Sequence, residues 1–162
     1  MTAILVKTWG KTMLTCTFFG HKDTPKEIEP TLKSTLIDLI RNKNVCSFYV
    51  GNHGNFDSMV KRCLIELKEI YPIDYAVVLA YFPSSKYDAK EKIPADTILP
   101  DGIETVPRKF AINYRNKWMI EQSDYVVAYV RYSIGSAVRF KDLAEKKKRI
   151  VINIAPQSMP SL

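Results

Sequence analysis

The run Ser47-Phe-Tyr-Val-Gly-Asn-His-Gly-Asn-Phe-Asp57 is the part of the chain best equipped for chemistry. An apolar stretch ends at Gly51, crosses a polar loop, and enters a segment whose apolar residues share one helical face. At such a junction the first N–H groups of the helix have no intrahelical partner. They favour an anion, most often the phosphate of a nucleotide. Gly51 and Gly54 allow positive φ and close backbone approach, and Asn52, His53 and Asn55 supply donors. A ligand-free turn capped by Asn55 at a helix starting at Phe56 uses the same residues equally well.

A second corner, Phe18-Phe-Gly-His-Lys-Asp23, repeats the design around Gly20. His21 can donate to a phosphate and Asp23 can accept from a ribose hydroxyl, or Asp23 and Thr24 can cap the next helix. The two histidines of the chain, His21 and His53, sit one at each corner. A third junction, Ile134-Gly-Ser-Ala137, places small residues Gly135 and Ser136 before a helix and again admits a phosphate. Tyr81, Phe82, Tyr129 and Tyr132 lie near strand ends, where they can stack on a base or pack at the rim.

Arg115 and Asn116 are the sharpest anomaly. On a helical wheel they share a face with Ala111, Ile112, Met119 and Ile120, so they interrupt the stripe that should cover a sheet. Burying a guanidinium without a partner is costly. An internal carboxylate, Asp124 or Asp57, answers that cost, and so does an anionic ligand.

The elements that must position these residues alternate. Apolar runs at 13–19, 46–50, 75–80, 125–130 and 149–154 read as five strands. Helical spacing covers 26–42, 56–71, 109–122 and 137–147, with Thr24 and Pro25 marking the first start and Pro72 following the second helix. Alternation of this kind predicts one Rossmann-like α/β domain over 13–154, a mainly parallel sheet with helices on both faces. Residues 1–12 form an N-terminal extension and 155–162 a tail expected to be disordered. The segment 84–107, with Pro94, Pro100 and Pro107, is long enough to be a lid or to be partly disordered.

Composition narrows the classes. At 162 residues the chain suits one domain with a real core. No apolar stretch approaches the roughly 20 residues that span a bilayer, and the N-terminus is a poor secretory signal. Cys16, Cys46 and Cys63 are widely spaced within apolar runs, which predicts buried thiols in a reducing cytoplasm and no disulfide or metal framework. The net charge of +7 attracts phosphate-bearing partners. The one dense basic run, Lys146-Lys-Lys-Arg149, reads as a solvated helix end, so a nucleic-acid partner is not expected.

Taken in order, Phe19-Gly-His-Lys-Asp23, Tyr49-Val-Gly-Asn-His-Gly-Asn-Phe-Asp57, Pro107 before Ala111-Ile, Arg115-Asn-Lys-Trp-Met119, Ser123-Asp124 and Gly135-Ser-Ala137 resemble the YpsA-like branch of the SLOG superfamily. Those are Rossmann-like proteins of firmicute bacteria and their mobile elements. The resemblance implies a nucleotide-derived small-molecule ligand over Gly20, Gly51, Gly54, Asp57, Arg115, Asn116 and Gly135. It also allows a homodimer; no resident cofactor is expected. The superfamily includes LOG phosphoribohydrolases and the DNA-processing protein DprA. Where LOG enzymes carry a Pro-Gly-Gly-x-Gly-Thr loop and a following glutamate, this chain has Ser133-Ile-Gly-Ser-Ala137 and then Val138, Arg139, Phe140 and Lys141. With that acid missing, ligand binding or sensing is the leading expectation. An N-glycosidase using Glu104 or Glu121 is the alternative, and a DprA-like nucleic-acid protein the third.

Overall fold

The structure is a computed structural model that describes residues 13–82 and 95–156. The elements are β1 (Leu14–Gly20), a 3-10 turn (Lys26–Ile28), α1 (Glu29–Asn42), β2 (Val45–Val50), α2 (Gly54–Lys68) and β3 (Asp74–Val78). They continue with β4 (Thr97–Ile98), a second 3-10 turn (Ile103–Thr105), α3 (Arg108–Glu121), β5 (Tyr125–Tyr129), α4 (Ser136–Lys146) and β6 (Ile150–Asn153). All six strands are parallel, in the order β4-β3-β2-β1-β5-β6. The strand order therefore runs outward in one direction from β1 and in the other from β5. The crevice between those two carboxyl ends is the topological switch point of an open α/β sheet.

Alternation along the strands sends side chains to two cores. Cys16 and Phe18 of β1, with Tyr125, Val127 and Tyr129 of β5, meet Leu32, Leu36 and Leu39 of α1 and the stripe Phe56, Met59, Val60, Cys63, Leu64 and Leu67 of α2. On the opposite face Phe19 and Val126 meet Met119 and Ile120 of α3 and Phe140 and Ala144 of α4. The result is a three-layer α/β/α domain, because a strand buried on both faces must be apolar at nearly every position.

Three details depart from expectation. The sheet has six strands where five are read from the sequence. The extra one, β4, falls inside the 84–107 segment and pairs Thr97 and Ile98 with Val77 and Val78. Two residues are too few to show a period. The expected lid is thus partly an edge strand and a turn seated by buried Ile103, while 84–94 lie outside the described residues. The tail is not loose from 155: Ala155 is 5% exposed and packs in the first core, and 157–162, like 1–12, lie outside the described residues.

The first helix also begins late. Thr24 Oγ1 donates to the His21 carbonyl at 2.6 Å, a turn closure and not a helix cap. A 3-10 turn follows, and the α-helix starts at Glu29 with Pro30 in its first turn, where a missing N–H costs nothing. Among the described residues no helix is long and apolar enough to cross a membrane.

Candidate functional site

The three loops leaving β1, β2 and β5 are tied together at the switch point. Gly54 has φ +85°, and a Cβ there would fall 2.8 Å from the Lys22 Cα. That contact lets the Asn55 N–H donate to the Lys22 carbonyl at 2.9 Å, joining the two corners directly. On the other side His21 Nε2 accepts the backbone N–H of Arg131 at 3.0 Å. Its ring also lies 4.7 Å from that of Tyr132. An imidazole that accepts at Nε2 must be neutral with its proton on Nδ1, and burial pushes the His21 pKa down, in keeping with that role. His21 is therefore a clip between loops.

A cavity of about 190 Å³ opens beside this row, lined among others by Gly20, Lys22, His53, Asp57, Arg115, Asn116 and Ser136. Its apolar wall comes from Phe18, Phe19, Ile112, Met119, Ala137 and Phe140. Sequence reasoning reaches the polar residues apart from Lys22, although Lys22 stands in the quoted corner between His21 and Asp23. It does not assign the apolar wall to the site, although Phe18, Phe19, Ile112, Met119 and Ala137 stand in the quoted corners and on the Arg115 face.

Arg115 is 3% exposed. Its Nε donates to Asn116 Oδ1 at 3.0 Å, and its Nη1 to Asn52 Oδ1 at 2.9 Å and the Val78 carbonyl at 3.3 Å. These acceptors are all neutral, and among the described residues Nη2 has no acceptor and no carboxylate lies within 4.0 Å of the guanidinium. No fully enclosed side-chain polar atom lacks a partner among those residues, so Nη2 keeps some exposure, and Arg115 is one of the residues that line the cavity. Burial lowers the Arg115 pKa, and nearby Asp57 opposes that; the delocalised guanidinium of an arginine stays charged in a folded protein.

Asp57 is the acidic neighbour. A Cβ on Gly51 would fall 2.7 Å from Asp57 Oδ2 and 3.4 Å from Arg115 Cζ, so the bare glycine lets both groups crowd one point. Asp57 Oδ2 accepts the His53 N–H at 3.0 Å, which holds the carboxylate over the first turn of α2. That bond replaces the expected Asn55 cap, because the helix starts at Gly54 and not at Phe56. Burial raises the Asp57 carboxyl to about 6, opposed by the His53 N–H and by Arg115. His53 is pushed below the ordinary histidine range by burial first and by Arg115 next. Asp124, the other proposed partner of Arg115, instead accepts the Thr15 N–H at 3.0 Å at the far end of the sheet.

The remaining candidates divide. Ser136 lines the cavity at the first position of α4, and Gly135, φ +119°, is the N-cap residue and makes no side-chain cap bond. Asn52 is exposed and holds Arg115 from the side. Asp23 is exposed on its loop and does not line the cavity, so the proposed ribose acceptor at that position is out of place. Of the acids considered for hydrolysis, Glu104 lines a neighbouring hollow with Tyr81 and Arg108, and Glu121 bonds Lys147 at 3.3 Å. Neither reaches the Arg115 cavity. The basic run after α4 is also engaged: Arg149 Nε donates to the Ile120 carbonyl at 3.1 Å and Nη2 to the Glu121 carbonyl at 3.3 Å, capping α3. No group of three metal-ligating side chains occurs among the described residues. The chain matches no family model and no curated protein sequence.

Proposed function

We propose that the cavity at the switch point binds a phosphorylated, nucleotide-type small molecule, and that the protein works as a binding or sensing domain. One observation carries this reading: a buried, charged Arg115 that lines the cavity, whose bonds within the described residues go to neutral acceptors and leave Nη2 unbonded. A charge held this way is set for an anion brought from outside. The N-terminus of the eleven-residue helix α4 adds uncapped N–H groups at Ser136 and Ala137, and Lys22 adds a further cation. The resemblance to YpsA-like SLOG proteins, whose relatives sense nucleotide-derived signals, supports a nucleotide over other phosphate esters. The free thiols of Cys16, Cys46 and Cys63 suit a reducing cytoplasmic setting.

Isothermal titration against mononucleotides, NAD derivatives and cyclic nucleotides tests the reading. Saturable binding of at least one of them is the expected result. A cooperatively folded protein that binds no phosphorylated compound in the panel would overturn it.

A further inference from the structure

The cavity is rich in donors but holds one anionic acceptor, and that acceptor needs a proton donor of its own. Arg115 Nη2, the Lys22 ammonium, the first N–H groups of α4 and the Ser136 hydroxyl all favour negative charge. Asn116 joins them: its Oδ1 is taken by Arg115 Nε, which leaves its Nδ2 hydrogens as the free end. Asp57 stands among these groups with Oδ2 bonded to the His53 N–H, while Oδ1 has no donor among the described residues. Since no enclosed polar side-chain atom there is without a partner, Oδ1 keeps some exposure, and Asp57 lines the same cavity. A bare phosphate dianion would satisfy the donors and meet repulsion from Asp57. A ligand that carries a hydroxyl next to its phosphate would satisfy both.

Size points the same way. About 190 Å³ is less than the roughly 300 Å³ at the lower end for pockets that enclose a drug-sized molecule. It has room for a phosphate and adjoining sugar atoms, with any base left at the mouth. Resting on the phosphate reading above, we infer that Asp57 is the specificity-determining acceptor of this site. It selects phosphorylated sugars that present a free hydroxyl over phosphate esters that have none.

Chemical-shift titration with ribose 5-phosphate and with tetrahydrofurfuryl phosphate, which keeps the ring and phosphate but lacks the hydroxyls, tests this. The wild-type protein should bind the sugar phosphate about tenfold to hundredfold more tightly, as expected for a hydrogen bond to a charged acceptor. Asp57→Asn should shrink that ratio and improve binding of the hydroxyl-free ester, since the repulsion goes with the charge. Should Asp57→Asn fail to fold, Asp57→Ala serves for the same ratio. Equal binding of both ligands by the wild type, or a ratio unchanged in the variants, overturns the role of Asp57 and leaves the phosphate reading standing. No binding of either ligand by folded wild-type protein overturns the selection by Asp57, and the nucleotide titration above then decides the phosphate reading by itself.

Discussion

Arg115 is where the cost and the use of the site coincide. A buried guanidinium held by an asparagine pair and one carbonyl contributes little to stability, because its desolvation offsets its hydrogen bonds. Its replacement by a long apolar side chain should therefore leave the fold intact while removing the anion's main partner. Arg115→Met is expected to fold but to lose about 1–3 kcal/mol, since it leaves Asn116 Oδ1 and the Val78 carbonyl without their donor and Asp57 without its nearby cation. The same variant should lose at least about a hundredfold in affinity for any phosphorylated ligand, the scale of a desolvated charge-assisted bond. Calorimetric titration beside thermal melts checks both halves. Binding retained at wild-type strength would assign Arg115 to structure alone.

At the scale of elements, the site depends on three loops being bonded to one another. The Asn55 N–H to Lys22 carbonyl bond closes one seam and His21 Nε2 closes the other. Gly54 is the residue that permits the first seam, with φ +85° and the Lys22 backbone against its Cα. Gly54→Ala is expected to destabilise the protein by about 1–3 kcal/mol, the cost of a side chain forced into that backbone region. Urea unfolding measures it, and amide exchange should quicken at Asn55 as the seam opens. An unchanged midpoint would mean that the corner relaxes freely. The same geometry explains why the first helix starts late. The chain between Gly20 and Glu29 is occupied with the turn that sets Lys22 and His21 in place.

For the whole molecule the charge state of Asp57 sets a pH dependence with a definite sign. Its folded pKa, about 6, lies above the ordinary aspartate value of 3.8, so the fold favours the protonated form. That contribution is fully present below pH 3.8 and is lost as pH rises through 6. His21 and His53 act the other way: their folded pKa values are lowered from 6.5, so their contribution is present above that value and is lost as pH falls. Asp57→Asn isolates the first term. The variant should be more stable than wild type at pH 7.5 by up to about 3 kcal/mol and the difference should vanish near pH 4. Denaturant titrations at several pH values check it, and a difference independent of pH would place the effect elsewhere.

Much of this was legible in the chain itself, because helix and strand periods are local properties of ten to fifteen residues. The stripe Phe56, Met59, Val60, Cys63, Leu64 and Leu67 and the fully apolar Tyr125 to Tyr129 each declare their element and its burial without help from the rest of the chain. So does the break in the α3 stripe at Arg115. What the tertiary structure decided is everything that depends on strand order, which arises from long-range pairing that no local pattern encodes. It brings Asp57 rather than Asp124 to Arg115, sets Asp23 outside the cavity, and makes His21 a clip between loops. It also makes a strand of Thr97–Ile98, two residues whose conformation comes from the edge of β3 beside them.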